Sequence, residues 1–400
     1  MNSRYSTLAL FLYNSCLAVF LSYGVFFGKV SSDFGLPASS ASLVFGAFAV
    51  CFSASSMLLG LFMNTRGPGR TILLGGSLMG AGLVLSSLAN SFPLLVVTYG
   101  VVGGLGSGSM WMPTSYVVFD TFEPDRVAKV AGLVSAGTAV GLLFFPPLEY
   151  YLITAFGLRT AFFSVGAIIL LFTLLTYGAS KESKVVDRFD LRAAMKNLRT
   201  KRFGLYYTYY AAGNAFARTL VTIFVVPLFE SRGLGAVAGT VALSAIGVGS
   251  LAGRLTTGVK RVSEEEMAAF GFILQGACAA GLYLSRDVFT IAVLSLLFGV
   301  GYGAYIPEFA LMVRKHYGVA HYGTIFGTLL TSFGIGAFIG PVFEGSLVTA
   351  TGGYALGFVL AASVSIAVGL HLLYAGFSNG DSGGEVTAEQ RFIPASPQTA

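Results

Sequence analysis

The run KESKVVDRFDLRAAMKNLRTKR, residues 181–202, is the longest polar stretch before the C-terminal tail, and eight of its residues are basic. On either side the chain is apolar for some 180 residues, with short polar breaks. A helix that crosses a bilayer needs about 20 predominantly apolar residues. Before the polar run the pattern predicts six such segments: 5–27, 39–63, 71–89, 94–119, 127–153 and 160–178. After it come six more: 203–229, 237–259, 267–284, 288–313, 323–348 and 354–377. The composition agrees. Of 400 residues, 55% are hydrophobic and 10% charged, against about 25% charged in soluble chains, and the mean hydropathy is +0.77. The fold class is therefore an all-α membrane protein of twelve transmembrane helices in two six-helix halves. Its divisions are 1–180, a linker over 181–202, 203–377, and a tail over 378–400 whose Gly, Ser, Pro and Glu content predicts disorder.

Basic residues are retained on the cytoplasmic side of a membrane protein. With the N-terminus inside, 18 of the 24 Lys and Arg fall on the inner side, four outside (Lys29, Arg159, Arg232, Arg286) and two within spans (Arg218, Arg254). Both termini are then cytoplasmic, in a multi-pass protein of the cell membrane. The net charge of +6 is a topological signal rather than a nucleic-acid surface. Cys16, Cys51 and Cys278 lie in apolar runs without paired spacing, as small core residues do. The glycine string at Gly103, Gly104 and Gly106 lacks the Lys-Ser/Thr ending of a nucleotide loop, and three histidines draw no metal cluster. Neither a cofactor nor an enzymatic constellation is expected.

Six spans, a basic linker and six spans is the plan of a secondary transporter with its site between two similar halves. Weak repetition supports it: Gly60 to Arg70 after the second span and Gly253 to Arg261 after the eighth are both short basic turns following a glycine. The 52 glycines let helices approach closely and slide.

The long run Gly301-Tyr-Gly303-Ala-Tyr-Ile-Pro307, Tyr317-Gly318, Tyr322-Gly323-Thr-Ile-Phe-Gly327, Gly334-Ile-Gly336-Ala-Phe-Ile-Gly340-Pro341 and Thr351-Gly352-Gly353-Tyr354 resembles the major facilitator superfamily. Within it, the run is similar to the monocarboxylate transporters and oxalate/formate-type antiporters. Tyr23-Gly24-Val-Phe-Phe27, the glycines before Pro113, and Arg126 with Gly132 and Gly137 extend the resemblance over nearly all spans. It implies the major facilitator fold and a small organic-anion substrate, most of all a monocarboxylate, moved by proton symport or anion exchange. Arg254 with Gly258 matches an Arg-x-x-x-Gly pattern of the eighth span, and this implies an anion-binding role for Arg254. The chain departs from the pattern at Asn64 and Thr65, at Ser250 and Leu21, where animal relatives carry an aspartate and a lysine, and in lacking a lysine in the eleventh span.

An ionisable group inside hydrocarbon is costly and carries a functional hypothesis by default. Arg218 lies about 22 Å into the seventh span, and a guanidinium can hold a carboxylate bidentately. Burial against an acid or backbone carbonyls is the alternative. Arg254 and Glu308 each lie about 9 Å from the inner edge and face each other as partners, or as a static salt bridge. In the functional reading Arg254 takes the substrate and Glu308 couples protons. Trp111 lines the cavity or packs. Tyr13, Asn14 and Asn214 hydrogen-bond substrate or bridge helices. Glu149, Glu230, Glu344 and Lys29 fall at outer helix ends, where they either form a gate or, as expected, reach interfacial water. His371 is a proton switch or, as expected, a satisfied histidine, and Tyr206, Tyr207, Tyr209 and Tyr210 read as an inner interfacial belt. The expected partners are a small organic anion, protons and lipid, with no nucleic acid, in a monomer. Two other readings stay open: an exporter of hydrophobic or cationic compounds that uses Glu308, and a transport-silent membrane sensor.

Overall fold

The structure, a computed structural model, describes residues 3–122, 124–180, 196, 198–256, 262–317 and 322–378. The expected disordered tail lies outside the described residues, as does the central basic loop apart from Lys196, Arg199, Lys201 and Arg202.

Among the described residues there are eleven unbroken spans and one broken pair. In chain order they are α1 (Tyr5–Leu21 with Tyr23–Asp33, bent by 44°), α2 (Ala38–Gly60), α3 (Pro68–Ser86), α4 (Phe92–Val118), α5 (Val130–Phe156) and α6 (Leu158–Ser180). The second half comprises α7 (Lys201–Ser231), α8 (Gly235–Arg254), α9 (Glu264–Leu284), α10 (Val288–Tyr317), α11 (Ile325–Thr351) and α12 (Ala355–Ala375). The protein is thus all-α with twelve helices, the arrangement that hydrocarbon imposes because each helix satisfies its own backbone. The face holding the start of α1 and the end of α12 is called here the terminal face, and its opposite the far face.

Local chemistry sets the helix ends. Gly67, at φ +89°, turns the chain into α3, whose first residue is Pro68, where a missing N–H costs nothing. At the start of α9, Ser263 Oγ accepts from Glu266 N (3.2 Å) while Ser263 N donates to Glu266 Oε2 (2.9 Å), a reciprocal cap. In the loop before α10, the Asp287 carboxylate accepts from Thr290 N (2.8 Å), and that bond holds its carboxyl below the usual range.

Burial ranks the helices. Of the most apolar part of α7, 89% is buried, against 39% for α6 and 44% for α12, so α7 runs through the centre and the other two are peripheral. Every residue of Tyr13 to Phe27 in α1 and of Ala217 to Phe229 in α7 is buried. Nearer the terminal face, α7 exposes Gly204 and Thr208 and half-exposes Tyr207 and Ala211.

The halves meet along α1 with α7, α2 with α11 and α5 with α8. On the far side the α1–α7 seam is closed: Phe27 and Phe224 pack edge to face at 5.1 Å, and a Cβ on Gly24 would stand 2.6 Å from the Ile223 carbonyl oxygen. Beside it, Ser39 N donates to Thr349 Oγ1 (3.1 Å) and Ser53 Oγ to the Leu330 carbonyl (3.4 Å).

Three sequence expectations change. Arg254 is the last residue of α8 rather than lying six residues inside the span. Glu149 and Glu344 do not reach interfacial water: both side chains are fully buried, because neighbouring helices cover them laterally. Glu230 and Lys29 are exposed as expected. The tyrosine belt is mostly internal. Tyr206 and Tyr210 pack edge to face on Phe309, and Tyr209 bonds His371 Nδ1 at 2.5 Å. The reason is that α7 is central, so its terminal-face end meets α10 and α12 instead of lipid.

The seam yields a test. In a chain whose native cysteines are replaced by serine, Gly24→Val wedges the far-face seam. It is expected to increase severalfold the labelling of a Thr222→Cys site by a membrane-impermeant thiol reagent, while the chain keeps its elution volume. Unchanged labelling would show that the seam is not held by this close approach.

Candidate functional site

The centre of α7 departs from ordinary helical geometry. From Tyr210 to Arg218 the backbone bonds run i→i+5, a wider turn that recurs at functional sites. It ends on Arg218, which is 2% exposed. Arg218 Nε donates to Asn214 Oδ1 at 2.7 Å, one turn back. Its guanidinium lies over the Tyr302 ring at 4.8 Å and the Phe333 ring at 5.5 Å, contacts that stabilise a desolvated cation. No carboxylate forms an ion pair with it among the described residues. Arg218 Nη1 and Asn214 Nδ2 are buried donors without a hydrogen-bond partner among the described residues. Two unspent donors beside a permanent positive charge are a grouping with the chemistry to hold an anion.

A second layer of polar groups holds this arrangement. Tyr305 Oη lies 3.1 Å from Asn214 Oδ1 and 2.8 Å from Gln275 Oε1. Gln275 Nε2 donates to Ser365 Oγ (2.5 Å) and to the Gly213 carbonyl (3.1 Å). The wide turn of α7 is thus anchored to α9, α10 and α12. Composition gave no sign of Gln275, Tyr302, Tyr305 or Phe333, because amide and aromatic residues do not break an apolar run as a charge does. The run Gly301-Tyr-Gly303-Ala-Tyr305 was the one available signal.

Arg254 reaches the same place from α8. Its guanidinium stands 5.9 Å from the centre of the Tyr302 ring, so one ring is shared by both arginines. Nη1 donates across the halves to the Ser135 carbonyl of α5 (2.6 Å), and Nε to Ser250 Oγ (3.4 Å). Ser250 stands where the resemblance has an aspartate, and it supplies a neutral acceptor there. The expected pairing of Arg254 with Glu308 is not formed. Glu308 is 3% exposed, no ion pair joins it to Arg254, and the charges that bear on it are Glu264 and Glu265.

The other sequence candidates lie apart from this cluster. Tyr13 Oη is within 2.7 Å of Ser109 Oγ and 3.1 Å of the Ile72 carbonyl. Asn14 Nδ2 donates to Thr114 Oγ1 at 2.7 Å. Both side chains thereby bridge α1 to α3 and α4 within the first half. Trp111 is half-buried at a break in α4, before Pro113, and meets Phe326 of α11 edge to face at 6.1 Å. Aromatic rings from both halves meet beside Arg218: Phe333 packs against Phe20 (5.6 Å) and Phe52 (5.4 Å).

Tyr305→Phe is expected to remove the one hydroxyl proton that the buried amide oxygens of Asn214 and Gln275 share, at a cost of about 1–3 kcal/mol. The thermal midpoint should fall and anion affinity should weaken, because Arg218 loses the group that fixes its Asn214 partner. A midpoint and affinity equal to wild type would contradict the positioning role.

Comparison with known proteins places this architecture. A family model described as Major Facilitator Superfamily matches residues 7–285 and 259–398. Rat monocarboxylate transporter 2 is 22% identical over 380 residues, covering 87% of this chain and 78% of its own length. Mouse monocarboxylate transporter 14 is 38% identical over 112 residues, 28% of this chain and 22% of its own. Rat monocarboxylate transporter 9 is 32% identical over 158 residues, 40% of this chain and 30% of its own. With its twelve-helix, two-half plan and these matches, the chain belongs to the major facilitator superfamily and is a monocarboxylate-transporter-like membrane transporter.

Proposed function

We propose that the protein carries small monocarboxylates by alternating access, with the substrate carboxylate on Arg218 and the terminal face in the cytoplasm. The observation that carries this reading is the buried guanidinium of Arg218, which among the described residues has an unspent Nη1 and no acidic partner. A buried charge left unpaired costs several kcal/mol. A substrate carboxylate repays that cost by accepting from Nη1 and from Asn214 Nδ2. Arg254, across the Tyr302 ring, adds a second positive charge while its Nη1 is tied to Ser135 of the other half. An anion drawing Arg254 away from that carbonyl would loosen the α5–α8 seam, so binding and rocking of the halves are linked through one side chain. The aromatic wall of Phe20, Phe52 and Phe333 suits the apolar end of a short acid and gives no cation for a second carboxylate. Trp111 and Phe326 lie between Arg218 and the terminal face as a contact that must part for release. Glu308, buried at that side and unpaired with Arg254, is the candidate for proton coupling in a symport cycle. Tyr13 and Asn14 support the first half, with substrate contact reserved for states in which their present bonds are broken.

The test is uptake of radiolabelled lactate, pyruvate, formate and oxalate into proteoliposomes, with and without an inward proton gradient. The monocarboxylates are expected to enter and oxalate to be poorly taken up. Arg218→Lys should lose at least about tenfold of the rate because an ammonium cannot reproduce the fork. Stimulation by the gradient, abolished in Glu308→Gln with exchange retained, assigns symport. Uptake undiminished in Arg218→Lys would contradict the site, and failure of all four acids to move in folded protein would contradict the substrate class.

A further inference from the structure

The two halves repeat a feature near the far face that the transport site does not use. Residues 146–157 read PPLEYYLITAFG and residues 341–352 read PVFEGSLVTATG. Pro, Glu, Leu, Thr, Ala and Gly coincide at a constant offset, in α5 and in α11, the fifth helix of each half. The geometry repeats as well. Each motif ends on a glycine with positive φ, Gly157 at +86° and Gly352 at +72°. Each glutamate, Glu149 and Glu344, lies seven residues before the last residue of its span, Phe156 and Thr351, or about 10 Å inside it.

Both carboxyls are fully buried, and their four oxygens lack a well-formed hydrogen bond among the described residues, with the Ser22 hydroxyl the near donor to Glu149. The groups facing Glu149 are Ser22 of α1 and Tyr99 of α4, with Tyr23 next to Tyr99. Ser22 Oγ donates to the Val19 carbonyl at 3.2 Å, and Tyr99 Oη is itself a buried hydroxyl without a partner. Glu344 is covered by Gly357 of α12, where a Cβ would collide with its carboxyl group. Tyr354 is near it, within electrostatic range of both Glu344 and the exposed Glu230 at the end of α7. No lysine, arginine or histidine forms an ion pair with either glutamate among the described residues. An ionised carboxylate in such surroundings, with no cation and only neutral hydroxyls nearby, is strongly disfavoured against the neutral acid.

Both sites adjoin the far-face seam. Ser22, which faces Glu149, is two residues from Gly24, the residue packed on the Ile223 carbonyl. Glu344 is followed by Gly345, which packs on the Ala38 carbonyl and Ser42 of α2. Parting the halves on the far side brings water to the edge of both pockets.

We propose that Glu149 and Glu344 are a matched pair of proton-binding sites, one in each half, which hold their protons while the far face is closed and exchange them with water when it opens. On opening, the carboxyl O–H bond breaks, its electron pair stays on the carboxylate and the proton passes to water; closing reverses this. Because the protons enter and leave by the same face, the pair does not carry protons across. It makes closure of the far face depend on the pH of the solution there. Each proton taken up on closing multiplies the closed-to-open ratio by tenfold per unit fall in pH, so the pair gives about a hundredfold where both groups are ionised in the open state. The inference rests on the alternating-access reading above but not on its substrate.

The test uses the full chain in lipid nanodiscs, without native cysteines and with spin labels at Lys29→Cys and Ser231→Cys across the far-face seam. Electron–electron distance distributions are recorded over a pH series. The short-distance population of wild type should rise steeply as pH falls, by up to about a hundredfold in ratio per unit. The slope should fall to about tenfold in Glu149→Gln or Glu344→Gln and vanish in the double variant. A double variant with the wild-type slope, or a wild type with no slope, would overturn the proposal. Infrared spectra of the unlabelled wild type give a check that needs no variant to fold: the carbonyl stretch of protonated carboxylic acids must be present at neutral pH, and its absence is equally fatal. Neither readout involves substrate. A chain that shows the slope but moves no carboxylate leaves the proposal standing and refutes only the substrate class.

Discussion

A permanent positive charge held near the middle of a bilayer, with one donor left unspent, is the constraint around which this transporter is arranged. Arg218 cannot shed its proton, and no acidic side chain among the described residues pairs with it. The surroundings that make the charge tolerable are therefore specific. Two ring faces lie against the guanidinium, one amide oxygen accepts from Nε, and a chain of bonds through Tyr305 and Gln275 to Ser365 fixes that amide. The widened turn from Tyr210 to Arg218 belongs to the same arrangement. It turns Asn214 and Arg218 toward each other and toward the boundary between the halves, where an anion arriving from one side of the membrane can meet them.

That boundary is built for sliding. At Gly24, Gly247 and Gly334 the backbone of one half lies so close to the other half that a single added carbon would collide with it. Such contacts hold by shape and dispersion, with few directional bonds to break. Among the described residues the polar links across the boundary are few: Arg254 to the Ser135 carbonyl and Ser244 to the Leu143 carbonyl on the α5–α8 seam, and Ser39 to Thr349 and Ser53 to the Leu330 carbonyl between α2 and α11. In the proposed alternating-access cycle, closure on the far side and opening on the terminal side are two settings of one interface.

Much of this architecture can be read from the chain. Hydropathy gives the spans to within a few residues because the bilayer forbids other backbone structure, and the polar run 181–202 divides the halves. Arg218 stands out since a charge in an apolar run is rare. What escaped the reading depends on lateral packing, which a one-dimensional pattern does not hold. Glu149 and Glu344 read as interfacial from their axial position, yet neighbouring helices bury them. Tyr206, Tyr209 and Tyr210 read as a belt, yet α7 is internal. Arg218 and Arg254 read as separated by axial rise, yet long side chains bring both to the ring of Tyr302. The residues that position Arg218 were silent because glutamine and tyrosine do not disturb hydropathy.

The central claim is that a carboxylate binds the guanidinium of Arg218. It is tested most directly by solid-state magnetic resonance on the full chain in lipid, with 15N-labelled arginine and pyruvate carrying 13C at the carboxyl. Dipolar recoupling should place the carboxyl carbon within hydrogen-bonded distance of a guanidinium nitrogen, and the signal should vanish in Arg218→Lys while persisting in a variant of a surface arginine such as Arg159→Lys. Saturable pyruvate binding with no coupling to an arginine, or with coupling unchanged in Arg218→Lys, would contradict the account.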